Sequence, residues 1–411
     1  MGKIDTRNVI NMLTALLLSG FYILDMSSLC SVVLLGGTFL IFMIYAWQNN
    51  FKIHFTLEKF HINILVMVLY CVCSTIWTLS PSLSIENAIT LFELLICMSV
   101  LYMNYSTYDS IQDLYYVLML AGALVAFYTL ATYGIGTIIS TITIGGRLPK
   151  LFANINAIAM ISTMCIDIYI YRILYRKNSF WQMCFFGIAS VCSLIVIVAT
   201  GSRKALVTVV FCVMSMFFIR FKSRRFFNTL LKWITLLVVG IIILKVLSNF
   251  SFFDGINERM KGLFALITGK GIVDASARVR QEYVDIGLAV FRQHPILGIG
   301  MGASGTYLSS ITGANEYFHN NYIELLACGG IIGSIFYYKM WLYPFCRLIK
   351  MRKKAISSSS FSIILIIVLL IMDYGMVTYL SKNTYLYLMI FYIQVKYLQV
   401  NQNYNEENSV N

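Results

Sequence analysis

The chain is expected to fold as an all-α, polytopic integral membrane protein of about twelve transmembrane helices, and three observations predict this. It is 59% hydrophobic and only 12% charged over 411 residues, with a mean hydropathy of +0.77. Apolar runs of about 17–25 residues, the length a helix needs to cross the hydrocarbon core, recur along the whole chain. The runs are solidly apolar, whereas a transmembrane β-barrel shows segments of about ten residues in which apolar and polar side chains alternate.

In order, the spans fall at roughly 8–25, 29–47, 62–79, 87–104, 114–133, 152–171, 180–199, 205–220, 229–247, 321–343, 361–379 and 384–400. The first run follows Lys3 and Arg7, lacks a small-residue cleavage site and is followed almost at once by a second, so it reads as a span and not as a signal peptide. The organisation is then an N-terminal set of helices over 1–150, a core over 151–345 that includes a large extracytoplasmic loop at 248–320, and C-terminal helices with a cytoplasmic tail over 346–411. The tail sequence NQNYNEENSVN has the composition of a solvated, unstructured segment.

Of the ten cysteines, nearly all sit inside apolar runs, among them Cys71, Cys73, Cys165, Cys184, Cys192 and Cys212, and they read as small core hydrophobes. Neither a disulfide nor a metal site is expected, because Cys71 and Cys73 are too close for a zinc pair and lie within a span.

Lysine and arginine in the short loops set the orientation. With the amino terminus in the cytoplasm, the cytoplasmic loops carry Arg172, Arg176, Lys177, Arg220, Arg224, Arg225, Arg347, Lys350 and Arg352, among others. The opposite short loops carry only Arg147, Lys150, Arg203, Lys204 and Lys382. Both termini are therefore expected in the cytoplasm of a multi-pass cytoplasmic-membrane protein. The net charge of +13 is explained by topology and the inner lipid leaflet, and no nucleic-acid partner is expected.

Basic residues on the outer face oppose the rule and call for an anion. Arg147 precedes the FANIN segment at 152–156, Arg203 sits in TGSRKA between two spans, and Arg278 and Arg280 lie in the large loop. Interfacial snorkelling explains one such arginine. As a set, their guanidinium forks match phosphate oxygens. The loop is far longer than an ordinary connection and contains its own amphipathic helix signal, from Ser276 to the His294-Pro295 stop, with Tyr283, Ile286, Val290 and Phe291 at near-helical spacing. The glycines of LGIGMGASG at 297–305 suit turns and packing, or else an anion cradle of backbone N–H groups. Finally, FHNNYIELLACGGIIG at 318–333 puts His319, Asn320 and Asn321 where the loop enters an apolar helix, a boundary at which polar groups still reach water.

Four segments in this order, LFANINAIA at 151–159, ATGSRKAL at 199–206, ARVRQEYVDIGLAVFRQHPILGIGMG at 277–302 and FHNNYIELLACGGIIG at 318–333, resemble the O-antigen ligase and polysaccharide polymerase superfamily of membrane glycosyltransferases. The resemblance implies a GT-C-like, metal-independent, inverting transferase that needs no cofactor and acts on undecaprenyl-pyrophosphate-linked glycans at the outer face of the cytoplasmic membrane. It assigns catalytic roles to His319, Arg280 and Arg203, with Arg278 an extra basic neighbour. Where the family pattern often has tryptophan, this chain has Tyr283-Val284. His319 is suited to accept the acceptor hydroxyl's proton, and Arg203 and Arg280 to stabilise the leaving pyrophosphate. Arg147, Arg278, Asn320, Asn321 and Glu324 are expected to bind substrate or orient the histidine. The implied partners are the lipid-linked glycan, membrane lipids, a flippase and a chain-length regulator. Polymerase and ligase differ only in acceptor. A non-enzymatic lipid-glycan transporter is the competing class, resting on Glu93, Asp167, Lys232, Lys245 and Asp373 within or near spans.

Overall fold

The computed structural model describes residues 6–53, 55–106, 110–220, 275–352 and 356–410, and every regular element among them is a helix. These are α1 (Thr6–Ile23), α2 (Cys30–Gln48), α3 (Lys59–Ser74), α4 (Pro81–Tyr105), α5 (Ser110–Tyr133), α6 (Ile135–Ile144), α7 (Ile155–Tyr175), α8 (Phe180–Thr200), α9 (Arg203–Arg220), α10 (Ala275–Gln293), α11 (Ser304–Thr312), α12 (Asn321–Met351), α13 (Ile356–Asp373) and α14 (Lys382–Val410).

Six of them, α2, α4, α5, α7, α8 and α12, are long and apolar enough to cross a membrane, which makes this a multi-pass membrane protein. The other expected spans are helical but more polar or shorter. Two reasons are plain in the sequence: α9 carries Arg203, Lys204 and Arg220, and α3 has 16 residues, about 24 Å of helix. The expected span at 229–247 and the 248–274 part of the large loop lie outside the described residues. Two short helices, α6 and α11, were not foreseen. The tail also departs from expectation, because α14 continues through it to Val410, with neither glycine nor proline between Lys382 and Val410 to stop it.

The chain divides into two compact units. In the first, formed by Met1–Leu17, Ser31–Leu114 and Ala275–Asn411, α3 packs on α4, and α12 lies against α3, α10, α13 and α14. Its organising feature is a break in α12. Gly330 has φ 59° and ψ −164°, outside the helical region and in a part of φ/ψ space that is essentially reserved for glycine. The break would leave backbone groups unpaired inside the membrane, where each one costs several kcal/mol. The 295–300 segment replaces the missing partners. Ile299 and Gly300 donate their N–H groups to the carbonyls of Ala327 and Cys328 (2.9 Å each), while Ile331 and Ile332 donate to the carbonyls of Pro295 (2.9 Å) and Ile296 (3.3 Å). Tyr70 on α3 closes the arrangement, its hydroxyl donating to the Gly329 carbonyl at 2.6 Å. The loop is thus stitched to the membrane helix, and α10 and α11 are brought with it.

The second unit, Leu18–Cys30 and Tyr115–Asp274, is built on α7, with α8 and α9 packed against it and α6 resting on α8. Asn154 caps α7 by accepting from the N–H of Asn156, and Ser179 with Gln182 forms a capping box at the start of α8.

Candidate functional site at the start of α12

Gly287 sets the geometry of the site. A Cβ at this position would run into Ile323 and the Phe318 ring, so glycine allows α10 to seat closely on the start of α12. At 3.6 residues per turn, Arg280 lies within about 20° of Gly287 around the helix and Tyr283 about 40° away, whereas Arg278 is about 180° away. Tyr283 therefore points into the packed interface and is buried, in one apolar cluster with Val290, Phe318 and Cys328. Arg280 is exposed at the end of the same face, and Arg278 is exposed on the opposite one.

His319 sits where these elements meet. Its ring stacks on Tyr283 at 5.9 Å between centroids and 5° between planes, and Tyr317 approaches it to 4.4 Å. Nε2 lies 3.8 Å from Glu316 Oε2, and the side chain keeps 20% of its exposure. Burial pushes the Tyr317 hydroxyl above its ordinary pKa, the Glu316 carboxylate adds to the rise, and the Arg280 guanidinium opposes it. Arg280 is accordingly within electrostatic reach of the residue that packs against His319.

The His319 backbone is in the left-handed region, φ 55°, which costs a non-glycine residue about 1–2 kcal/mol and persists only where the surroundings hold it. Those surroundings are buried polar side chains. Glu324 lies one turn into α12 and accepts the N–H of Phe318 at 3.0 Å and the Ser304 hydroxyl at 2.5 Å. Asn320 caps α12, accepting from the N–H groups of Tyr322 (3.0 Å) and Ile323 (3.3 Å). Asn321 donates to Asp373 (3.1 Å) and accepts from the N–H groups of Thr378 (2.9 Å) and Tyr379 (3.0 Å). All three face the protein interior.

The first unit therefore brings together His319, Arg280, Asn320, Asn321 and Glu324, and sets Arg278 apart. Arg147 and Arg203 belong to the second unit. There Arg147 donates to the Thr200 carbonyl (3.2 Å) and to Asn156 (3.1 Å), bracing the turn from which α9 begins at Arg203. The side chain of Arg203 lies outside the described residues. The glycine loop has its amides at Ile299 and Gly300 committed to α12, which favours the turn-and-packing reading over an anion cradle. Sequence reasoning missed Gly287, Tyr317, Glu316 and Ser304. Gly287 was the detectable one, as a glycine in mid-helix that weakens α10 and so needs a packing reason.

Residues 188–338 match the family model described as O-antigen ligase. The region forms an O-antigen ligase-type domain. It runs from within α8 to within α12 and contains Arg203, Arg278, Arg280 and His319, and the match supports a place in the O-antigen ligase and polymerase superfamily. The matched family implies glycosyltransferase-type ligase or polymerase activity. No curated protein matches the chain.

Proposed function

We propose that this protein polymerises undecaprenyl-pyrophosphate-linked oligosaccharide repeat units into a surface polysaccharide, an O-antigen or capsule, at the outer face of the cytoplasmic membrane. The observation that carries the reading is the seating of α10 on α12, which sets Arg280 and His319 at one end of an apolar helix.

In the proposed reaction an acceptor sugar hydroxyl attacks the anomeric carbon of the donor from the side opposite the leaving group, inverting that centre. The new C–O bond forms as the bond to the pyrophosphate oxygen breaks, and undecaprenyl pyrophosphate leaves with the electron pair. His319 takes the hydroxyl proton, a role its partly exposed ring and the nearby Glu316 carboxylate support, since the carboxylate stabilises the imidazolium that forms. Arg280 stabilises the negative charge growing on the pyrophosphate, as a fixed guanidinium does for phosphate oxygens. Arg203 is assigned the same task through the resemblance. Asn320, Asn321 and Glu324 act through the backbone they hold. No metal or cofactor enters this scheme, and a flippase and a chain-length regulator are its expected partners.

The description of the matched family favours a second reading, transfer of the lipid-linked glycan to lipid A core or another acceptor. Incubating purified protein with lipid-linked repeat units alone, and then with lipid A core added, separates the two. A ladder from repeat units alone supports polymerisation, a product formed only with the core makes the protein a ligase, and no product in either arm with folded protein overturns both.

A further inference from the structure

Asp373 belongs to neither the helix motif nor the arginine set, and as an acidic residue at the end of an apolar helix it is the kind of residue that invites a transport reading. The structure gives it another use. It is 1% exposed and ends α13, with Oδ2 accepting from Asn321 Nδ2 at 3.1 Å and Oδ1 accepting from the Thr378 hydroxyl at 2.5 Å. Asn321 answers by accepting from the N–H groups of Thr378 and Tyr379. The result is a closed ring of side-chain and backbone hydrogen bonds that fastens the α13–α14 connection to the first residue of α12.

That residue is two positions from His319, whose left-handed backbone must be held from both sides. Glu324 holds the side before it, through the N–H of Phe318. On the side after it, the Asn320 cap and the Asn321 ring fix the first turn of α12, and an amide engaged at both ends cannot turn to another rotamer without breaking several bonds.

We propose that Asp373 is a positioning residue for His319, acting through Asn321 to hold the first turn of α12 in the orientation that keeps the imidazole between Tyr283 and Tyr317. The consequence for turnover rests on the glycosyltransferase reading, but the placement itself does not.

The test therefore reads placement and turnover separately. The full-length protein and its Asp373→Ala and Asp373→Asn variants are treated with diethyl pyrocarbonate, and the modification rate of each histidine is read from its peptide by mass spectrometry. The exposed His294 serves as an internal measure of reagent activity and the buried His61 as a measure of folding. In Asp373→Ala, His319 should react at least about fivefold faster than in the unmodified protein while His294 and His61 stay within about twofold. Asp373→Asn, which still accepts from Asn321, should restore most of the protection, because an amide and the Thr378 hydroxyl can exchange donor and acceptor roles. In the transfer assay, Asp373→Ala should lower kcat about tenfold or more with KM nearly unchanged. An unchanged His319 rate in folded Asp373→Ala overturns the proposal. If the unmodified protein shows no transfer but His319 becomes reactive as described, the glycosyltransferase reading fails and the positioning role stands. Should Asp373→Ala unfold, with the buried His61 reacting faster as well, Thr378→Val takes its place. It should roughly double the His319 rate, and no change would again overturn the proposal.

Discussion

Glu324 and Asp167 are both carboxylates buried on membrane-spanning helices, at 2% and 0% exposure, and the two units hold them in opposite ways. Glu324 has both oxygens engaged and joins the Phe318 amide to Ser304 at the start of α11. Asp167 lies in the packed interior of α7, where the thiol of Cys212, a weak donor, is its neighbour and no hydroxyl, amide or basic group hydrogen-bonds to its oxygens. An unpaired buried polar group is a cost to the fold, whereas a paired one fixes geometry. At the start of α12 the buried polar residues Asn320, Asn321 and Glu324 serve to place His319. In the described interior of α7 Asp167 fixes no such geometry, and intramembrane polarity alone is therefore a poor guide to function.

If the comparison holds, substitutions around the start of α12 should be severe and those in the α7 interior mild. His319→Ala should have the largest effect, lowering transfer from lipid-linked repeat units about 10³-fold with insertion unchanged, since a positioned base contributes about 10²–10⁴. Activity within about tenfold of the unmodified protein would remove His319 from the chemistry. The two loop arginines should then part company. Arg280→Ala should cost about 10²-fold, the usual scale for losing one charge-stabilising donor, and Arg278→Ala less than about threefold. Equal losses at the two positions would mean that the face of α10 seated by Gly287 does not define the site.

Much of this arrangement could be read from the sequence, and what could not has a physical reason. Apolar runs located the membrane helices because hydrocarbon admits little else, and α10 was legible from its 3.6-residue periodicity and its His294-Pro295 stop. The boundary position of His319 followed from where polar residues give way to apolar ones. The break at Gly330 was hidden, because CGGIIG looks like an ordinary small-residue stretch of a membrane helix. Its compensating bonds come from residues some thirty positions earlier, and no local pattern reports a pairing over that distance. The Asp373 ring is still less visible, since it joins positions 321, 373 and 378. Helix α6 was missed for the opposite reason: Gly134 and Gly145 bracket ten residues, too short for a span, so the segment read as part of the connection between the spans at 114–133 and 152–171.

The two smallest effects are a matched pair of isosteric changes read by thermal unfolding in detergent. In Glu324→Gln the amide nitrogen must face one of the two donors, the Phe318 N–H or the Ser304 hydroxyl. A turn of the hydroxyl relieves only the second case, so about 1–2 kcal/mol of stability should be lost. Asp167→Asn keeps the size of the side chain and removes a carboxylate whose one polar neighbour is the weakly donating Cys212 thiol, so its stability should change by less than about 0.5 kcal/mol or rise. The sign at position 167 is the sharper measurement. A loss there as large as at Glu324 would mean that Asp167 has a partner in the working protein, and the second unit would then hold a polar site of its own.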